Sequence, residues 1–172
     1  MESPLIPKIN ELDEVVGETT IAEAKENGWP RRIARVFVFN TDYTKMLLQL
    51  RSDQMVTYPG FWDQAVGGHV DVDESYEVAA IREMAEEIGV VDTPVAAVET
   101  SFRNGNLFEG IFVATIDDTL DLNFDRHEVA DLQWLSIEDF ERDAADHPGK
   151  YVPAFMHTWK HFKAQLLNPE IR

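Results

Sequence analysis

The sequence predicts an α/β fold in which helices cover both faces of a mixed β-sheet, an α/β/α sandwich. Three observations lead there. Alternating apolar runs and segments of helical periodicity follow one another along all 172 residues. Strand-like runs lie on both sides of one long helical segment, so some strands are joined across helices and others by tight turns. A chain of this length with 44% apolar residues can fill the core of a single domain.

The elements follow in order. Residues 1–30 form an N-terminal extension, with Ile9 to Glu18 as a short hairpin around an acidic turn and Ala22 to Glu26 as a short helix ending near Asn27-Gly28. Ile33 to Asn40 and Met46 to Arg51 read as strands across a turn at Thr41 to Thr44. Pro59-Gly60 punctuates the chain before Asp63 to Gly67, which leads into a helix from about Glu74 to Ile88. Val95 to Phe102 and Leu107 to Ile116 flank Arg103-Asn104-Gly105-Asn106, a hairpin signal. Val129 to Leu135 is a further strand, after which Ser136 and Asp139 mark the start of a helix running toward Ala145. The last helix spans roughly Pro153 to Leu167, with Phe155, Trp159 and Phe162 as one core-facing stripe.

Charge and composition narrow the function. A net charge of −17 argues against nucleic-acid binding, which needs a basic footprint. A saline habitat and ordinary surface solvation both account for such acidity. The chain has no cysteine, which excludes disulfides, thiolate metal sites and thiol nucleophiles. Neither a signal peptide nor a membrane-length apolar run is visible, so a cytoplasmic protein is expected. Against the acidic background, Arg31, Arg32, Arg35, Lys45 and Arg51 form a basic island opposed only by Asp42. Such an island suits phosphate or another anion, and Arg51 and Arg35 are the candidate substrate-binding residues. The plainer alternatives are that Arg31 and Arg32 cap the preceding segment, that Arg51 pairs with surface carboxylates and that Lys45 is a surface residue.

Residues 68–90 carry the strongest signal. Gly68, Glu74, Arg82, Glu83, Glu86, Glu87 and Gly89 fit the spacing G-x5-E-x7-R-E-U-x-E-E-x-G-U, with Met84 and Val90 in the apolar U slots. At residue frequencies of about 7% each, seven matches arise by chance on the order of once in 10⁸ start positions. On a helix, Glu83, Glu86 and Glu87 share one face, while Ala79, Ala80, Met84 and Ile88 supply a buried stripe beside it. Converging carboxylates repel one another and raise each other's pKa. A hard divalent cation relieves that repulsion, and oxygen-only donors favour Mg²⁺ or Mn²⁺. Arg82 can reach back to Glu74 or on to Glu86, and Gly89 supplies a left-handed helix end.

The spacing is the signature of the Nudix hydrolases, which the chain resembles. The resemblance implies that Glu83, Glu86 and Glu87 bind metal together with the Gly68 carbonyl, and that Glu74 and Arg82 act as structural partners. It extends to Tyr58-Pro59-Gly60-Phe61-Trp62-Asp63, Gly67-Gly68-His69 and Trp134-Leu135-Ser136, which look like the branch containing isopentenyl-diphosphate isomerase and its hydrolase-like relatives. That isomerase relies on a cysteine where this chain has Gly67, and its box departs from the R-E-x-x-E-E pattern that is intact here. His69 matches one of the isomerase's metal-binding histidines, although a lone His beside Gly-Gly reads more readily as a solvent-facing or backbone-orienting residue.

The expected reaction is Mg²⁺-dependent hydrolysis of a nucleoside diphosphate linked to another moiety, with a nucleotide di- or triphosphate as first guess. Glu83 and Glu128 are the candidate general bases, and Glu99 and Glu109 weaker ones. Arg82 completes the candidate catalytic set. Tyr58, Phe61, Trp62 and Phe102 could stack a base or pack in the core. The expected partner is a small diphosphate, with no nucleic acid or membrane and with a homodimer left open. An isomerase-like enzyme and a non-catalytic nucleotide sensor are the alternatives.

Overall fold

The computed structural model describes residues 4–171, apart from the side chain of Pro169. Its extension holds β1 (Leu5–Ile9), β2 (Val15–Thr20) and α1 (Ile21–Glu26). The body follows as β3 (Arg31–Asn40), β4 (Lys45–Arg51), β5 (Trp62–Gln64), β6 (Val66–His69), α2 (Tyr76–Ile88), β7 (Ala96–Asn104), β8 (Leu107–Ile116), β9 (Val129–Ser136), α3 (Ile137–Asp146) and α4 (Pro153–Leu166). The first hairpin sits earlier than the sequence suggests. Its turn forms where the Asn10 Oδ1 accepts from the backbone N–H groups of Leu12 and Glu14, which places Ile9 at a strand end.

Seven strands make a mixed sheet ordered β5-β4-β3-β8-β7, with β6 also on β3 and β9 also on β4. Among the strand pairs of the described residues only β3 and β8 run parallel. The pairing of β3 with β4 is confined to Val38–Leu47 and Phe39–Met46. Beyond it the two strands part, β6 continuing the ladder on β3 from Ile33 to Val36 and β5 on β4 from Leu48 to Leu50. The sheet is therefore forked, and the Gln64 to His69 segment passes through the fork.

Two cores form on its faces. On one, Ala79, Ala80, Met84 and Ile88 of α2 pack on Ala34, Val36, Val38, Leu47 and Val66. On the other, Phe140 of α3 and Phe155, Trp159 and Phe162 of α4 pack on Phe37, Phe39, Met46 and Leu48. Odd and even residues of β3 feed opposite cores, as a strand period of two requires. This is the expected α/β/α sandwich. Among the described residues no helix is long and apolar enough to cross a membrane.

The ends of α2 fix how its carboxylates are presented. The helix begins at Tyr76, two residues later than the sequence suggests, because Ser75 caps it by accepting from the Val78 N–H at 3.2 Å. Glu74 is thereby left outside the helix and free to turn back. At the other end Gly89 adopts φ 70°, and a Cβ there would approach the Asn123 carbonyl oxygen to 2.5 Å. Gly89→Ala should therefore cost at least the roughly 1–2 kcal/mol of a left-handed alanine. Chemical denaturation measures this, and an unchanged midpoint would remove Gly89 as a constraint on the helix end.

Candidate active site

The site is built where the segment through the fork meets α2. Gly68 lies opposite Ala34 on β3, and a Cβ added at Gly68 would overlap the Glu83 carboxylate. Glycine here lets the carboxylate lie directly on the backbone of β6. The loop between β6 and α2 is then joined to the helix by Arg82. Its Nε and Nη2 donate to the two oxygens of Glu74 at 2.8 and 3.0 Å, and its Nη1 to Glu83 at 2.8 Å and Glu86 at 3.0 Å. Nη2 also donates to the His69 carbonyl at 2.9 Å. These bonds hold the Glu74 carboxyl below its ordinary range.

Glu83 and Glu87 stand in a different environment. Burial pushes the Glu83 carboxyl up to about 7 against the pull of Arg82, and the charges of Glu86 and Glu128 add to the rise. Glu87 is 4% exposed and its carboxyl is raised well above the ordinary range, by burial first and then by Glu83 and Glu128. Its Oε2 accepts from Gln49 Nε2 at 2.9 Å and from the Gly67 N–H at 3.3 Å. Glu86 is the outermost of the three, with its side chain 59% exposed.

Glu128 approaches from the loop before β9. That loop is tied to the end of α2 by the Asp125 N–H donating to the Glu87 carbonyl at 3.0 Å, and to β4 by the Ser52 N–H donating to the Glu128 carbonyl at 2.8 Å. Partial burial and Asp125 raise its carboxyl, while Arg51 opposes the rise. Four glutamates thus converge, three of them from one helix.

Among the described residues no three acidic or imidazole groups already form a closed cation cage, because Arg82 holds Glu83 and Glu86. The donor set nonetheless fits a hard divalent cation. Two desolvated carboxylates with raised pKa, a third at the rim and the half-buried backbone carbonyl of Gly68 offer oxygen only.

Other expected site residues lie elsewhere. Arg35, expected to meet substrate, is buried and committed: its Nη2 pairs with Glu109 at 2.9 Å and its Nη1 donates to Gln64 at 2.9 Å. Its place on β3 directs it into the sheet face under α4, where only a paired charge is tolerated. Glu109 is fully buried, bonded also by Thr158 at 2.6 Å, and has no exposed oxygen to act as a base. Glu99 is exposed on β7. Arg51 donates to the Thr57 carbonyl at 3.1 and 3.0 Å and to Asp63 at 3.4 Å, so it shapes the loop of residues 52–60 beside Glu128.

Arg32 pairs with Asp13 at 2.6 Å and Lys45 with Asp118 at 2.7 Å. Of the aromatic residues, Phe102 meets Phe162 and His161, Trp62 packs at the α4 core, and Tyr58 lies edge-on to Phe61 with 44% of its surface exposed. A surface cavity of about 580 Å³ lies between α3 and α4, lined by Phe140, Tyr151 and Trp159, across the sheet from the carboxylates.

Two contributors were not anticipated. Gln49, which anchors Glu87, is marked in the sequence as the lone polar residue of the MLLQL run. Lys25, whose pKa is lowered by burial and by Arg31 and Arg51, lies near the site although its helix is only six residues long. His69 accepts from Arg31 at Nε2 over 3.2 Å, since a guanidinium can only donate, and burial with the nearby cations lowers its pKa to about 4.

The raised carboxylates have a consequence for stability. Without a cation, folded Glu83 keeps a proton that the unfolded chain releases near 4.5, so its contribution is present below that pH and lost as pH rises through about 7. His69 works in the opposite sense between about 4 and its ordinary 6.5, so the informative quantity is a difference between proteins. In chelator, the stability of Glu83→Gln relative to the parent should rise between about pH 5 and about pH 8 in thermal melts. A pH-independent difference would mean that Glu83 does not titrate there.

Comparison with known proteins agrees with this geometry. The NUDIX domain family matches residues 29–155. An isopentenyl-diphosphate Delta-isomerase of Roseobacter denitrificans is 32% identical over 139 residues, 76% of this chain and 78% of that protein. A Nudix hydrolase of Pseudomonas aeruginosa is 31% identical over 155 residues, 88% of this chain and 89% of that protein. A crystal structure of a Deinococcus radiodurans protein superposes with a TM-score of 0.70 at 25% identity, covering 82% of this chain and 89% of that one. With the family match spanning most of the chain and the forked sheet carrying the glutamate helix, the protein belongs to the NUDIX family and is a Nudix hydrolase, an enzyme acting on phosphoric anhydride bonds.

Proposed function

We propose that the protein is a Mg²⁺-dependent pyrophosphohydrolase cleaving a nucleoside diphosphate linked to another moiety, with nucleotide di- and triphosphates as its first substrate class. The observation that carries this reading is the pair of desolvated, mutually repelling carboxylates, Glu83 and Glu87, set on glycine backbone in the sheet fork. Glu83, Glu86, Glu87 and the Gly68 carbonyl would hold the cation. When bound, it neutralises phosphate oxygens and acidifies water for in-line attack on phosphorus.

The chain's own groups divide the remaining work. Arg82 orients Glu83 and Glu86 from one rigid guanidinium, and Gln49 with the Gly67 N–H aims Glu87. Glu128 is the favoured proton acceptor. It stands outside the α2 trio, is not bonded to Arg82, and has a carboxyl raised toward the range a general base needs. Arg51 steadies the adjoining loop and moderates the Glu128 charge. Such an arrangement suits hydrolysis better than a nucleotide sensor, for which a buried set of repelling carboxylates brings cost without use.

Isomerase chemistry is the second reading, favoured by the identity with the Roseobacter protein. The complete absence of cysteine, with Gly67 in the place of the isomerase cysteine, weighs against it.

The deciding experiment is a Mg²⁺-dependent phosphate-release screen over nucleoside di- and triphosphates, nucleotide sugars, dinucleotide polyphosphates and isopentenyl diphosphate. Glu87→Gln, isosteric with the protonated residue, should keep the fold and lose on the order of 10²-fold or more in turnover. Full activity in Glu87→Gln would remove this residue from the site. Conversion of isopentenyl diphosphate without phosphate release would replace hydrolysis by isomerisation.

A further inference from the structure

We propose that Asp13, in the N-terminal extension, is a positioning residue for the cation site: by holding Tyr76, the first residue of α2, it sets the carboxylates of that helix for Mg²⁺. The inference rests on the cation reading and adds to it a residue outside residues 29–155, the part of the chain matched by the family.

The turn between β1 and β2 is built to present this side chain. Asn10 closes the turn, its Oδ1 accepting from the N–H groups of Leu12 and Glu14 and its carbonyl from the Asp13 N–H at 3.2 Å. Asp13 stands in the left-handed region at φ 62°. Aspartate and asparagine enter that region more readily than other residues bearing a side chain. The carboxylate then reaches three elements of the body. Its Oδ1 accepts from Arg32 Nε on β3 at 2.6 Å. Its Oδ2 accepts from the Tyr76 hydroxyl on α2 at 2.9 Å and from the Ser101 hydroxyl on β7 at 2.8 Å. Arg32 also donates from Nη2 to the Asp13 carbonyl. The Asp13 side chain is only 10% exposed, so these charge-assisted bonds are largely shielded from water.

The Tyr76 contact lies on the sheet face that carries the glutamates. Ala34 of β3 faces α2 and is flanked by Gly68 on β6 and by Gly110 on β8. A Cβ at Gly68 would overlap the Glu83 carboxylate, and a Cβ at Gly110 would come within 2.6 Å of the Tyr76 ring. Helix α2 therefore meets the sheet backbone at two glycines on either side of one alanine. Asp13 fixes the second of these contacts through the Tyr76 hydroxyl. Burial and then the Asp13 charge push that hydroxyl above its ordinary range, so it stays a donor. Tyr76 is about two helical turns before Glu83, and a displaced helix start is carried along the helix to the carboxylates. A cavity of about 510 Å³ lies between Pro7 and Val15 of the hairpin and Val72 and Ser75 ahead of α2, so the link there is made by Asp13 and not by packing.

Calorimetric titration with Mg²⁺, with amide hydrogen exchange in chelator alongside, tests the tether. Tyr76→Phe removes only the hydroxyl, and Asp13→Gly removes the carboxylate while suiting the left-handed backbone. Both should bind Mg²⁺ on the order of threefold or more weakly, and half-maximal hydrolysis should need correspondingly more Mg²⁺. Saturating Mg²⁺ should restore kcat, with KM for the nucleotide unchanged. In chelator, the first turns of α2 should exchange faster in Tyr76→Phe while β3 and β8 exchange as in the parent. The effect of Tyr76→Phe on Mg²⁺ affinity should vanish in the Asp13→Gly background. Ser101→Ala removes another bond of the same oxygen without touching α2, and should lower the melting temperature at parental Mg²⁺ affinity. Parental Mg²⁺ affinity in both Tyr76→Phe and Asp13→Gly would overturn the tether. Equal weakening in Ser101→Ala would overturn it too, because general loosening would then explain the loss. In either case Mg²⁺-dependent hydrolysis by the parent would leave the catalytic reading standing, whereas a parent that neither binds Mg²⁺ nor hydrolyses any pyrophosphate would remove both.

Discussion

One guanidinium joins the parts of this site. Arg82 receives two carboxylate oxygens from the loop residue Glu74, one each from Glu83 and Glu86 on its own helix, and a backbone carbonyl from β6. A lysine could not span these directions, because an ammonium lacks the planar fork that serves several acceptors at once. The bonds are charge-assisted and partly shielded, with the Arg82 side chain 24% exposed. Loosening them would separate loop, strand and helix together. Glu83 and Glu86 share one nitrogen of this arginine, whereas Glu87 is held separately by Gln49 and the Gly67 N–H.

The forked sheet supplies the other constraint. Because β3 and β4 pair over only two positions before separating, a short segment can run between them and expose glycine backbone to the helix. Helix α2 is held against one face by small residues, Ala79 and Ala80, which allow close approach. On the other face the aromatic packing of α3 and α4 leaves room for a buried polar cluster, Arg35 with Glu109 and Thr158, that spends one cation of the basic island on structure. Four glutamates thus gather on the α2 side, while Glu109 is neutralised by Arg35 on the other.

Much of this was legible in the sequence, for identifiable reasons. The box of residues 68–90 fixes type, spacing and helix phase at once, so the shared face of Glu83, Glu86 and Glu87 could be read from periodicity alone. The helix ends at Ser136 and Gly89 were read from local chemistry, whereas the Ser75 cap, which starts α2 two residues after Glu74, was not. What could not be read were partnerships across the sheet. Arg35 looks like an anion-binding residue until β8 is known to bring Glu109 beneath it. Arg51 looks free until the loop of residues 52–60 folds its Thr57 carbonyl onto it. Lys25 attracts no notice on a short exposed helix, because nothing local reveals that its neighbours are Arg31, Arg51 and His69. Sequence pattern reports which residues share a face; it does not report which charges have already been satisfied.

The central claim is that α2 presents buried carboxylates held partly protonated until a divalent cation replaces their protons. The most direct measurement is the number of protons released when Mg²⁺ binds, from calorimetry in buffers of different ionisation enthalpy at several pH values. The account predicts net release at about pH 6, diminishing above about pH 8 as Glu83 loses its proton unaided. Mg²⁺ binding with no proton release across that range would contradict it, because the carboxylates would then already be charged and the fork would not be the desolvated environment described.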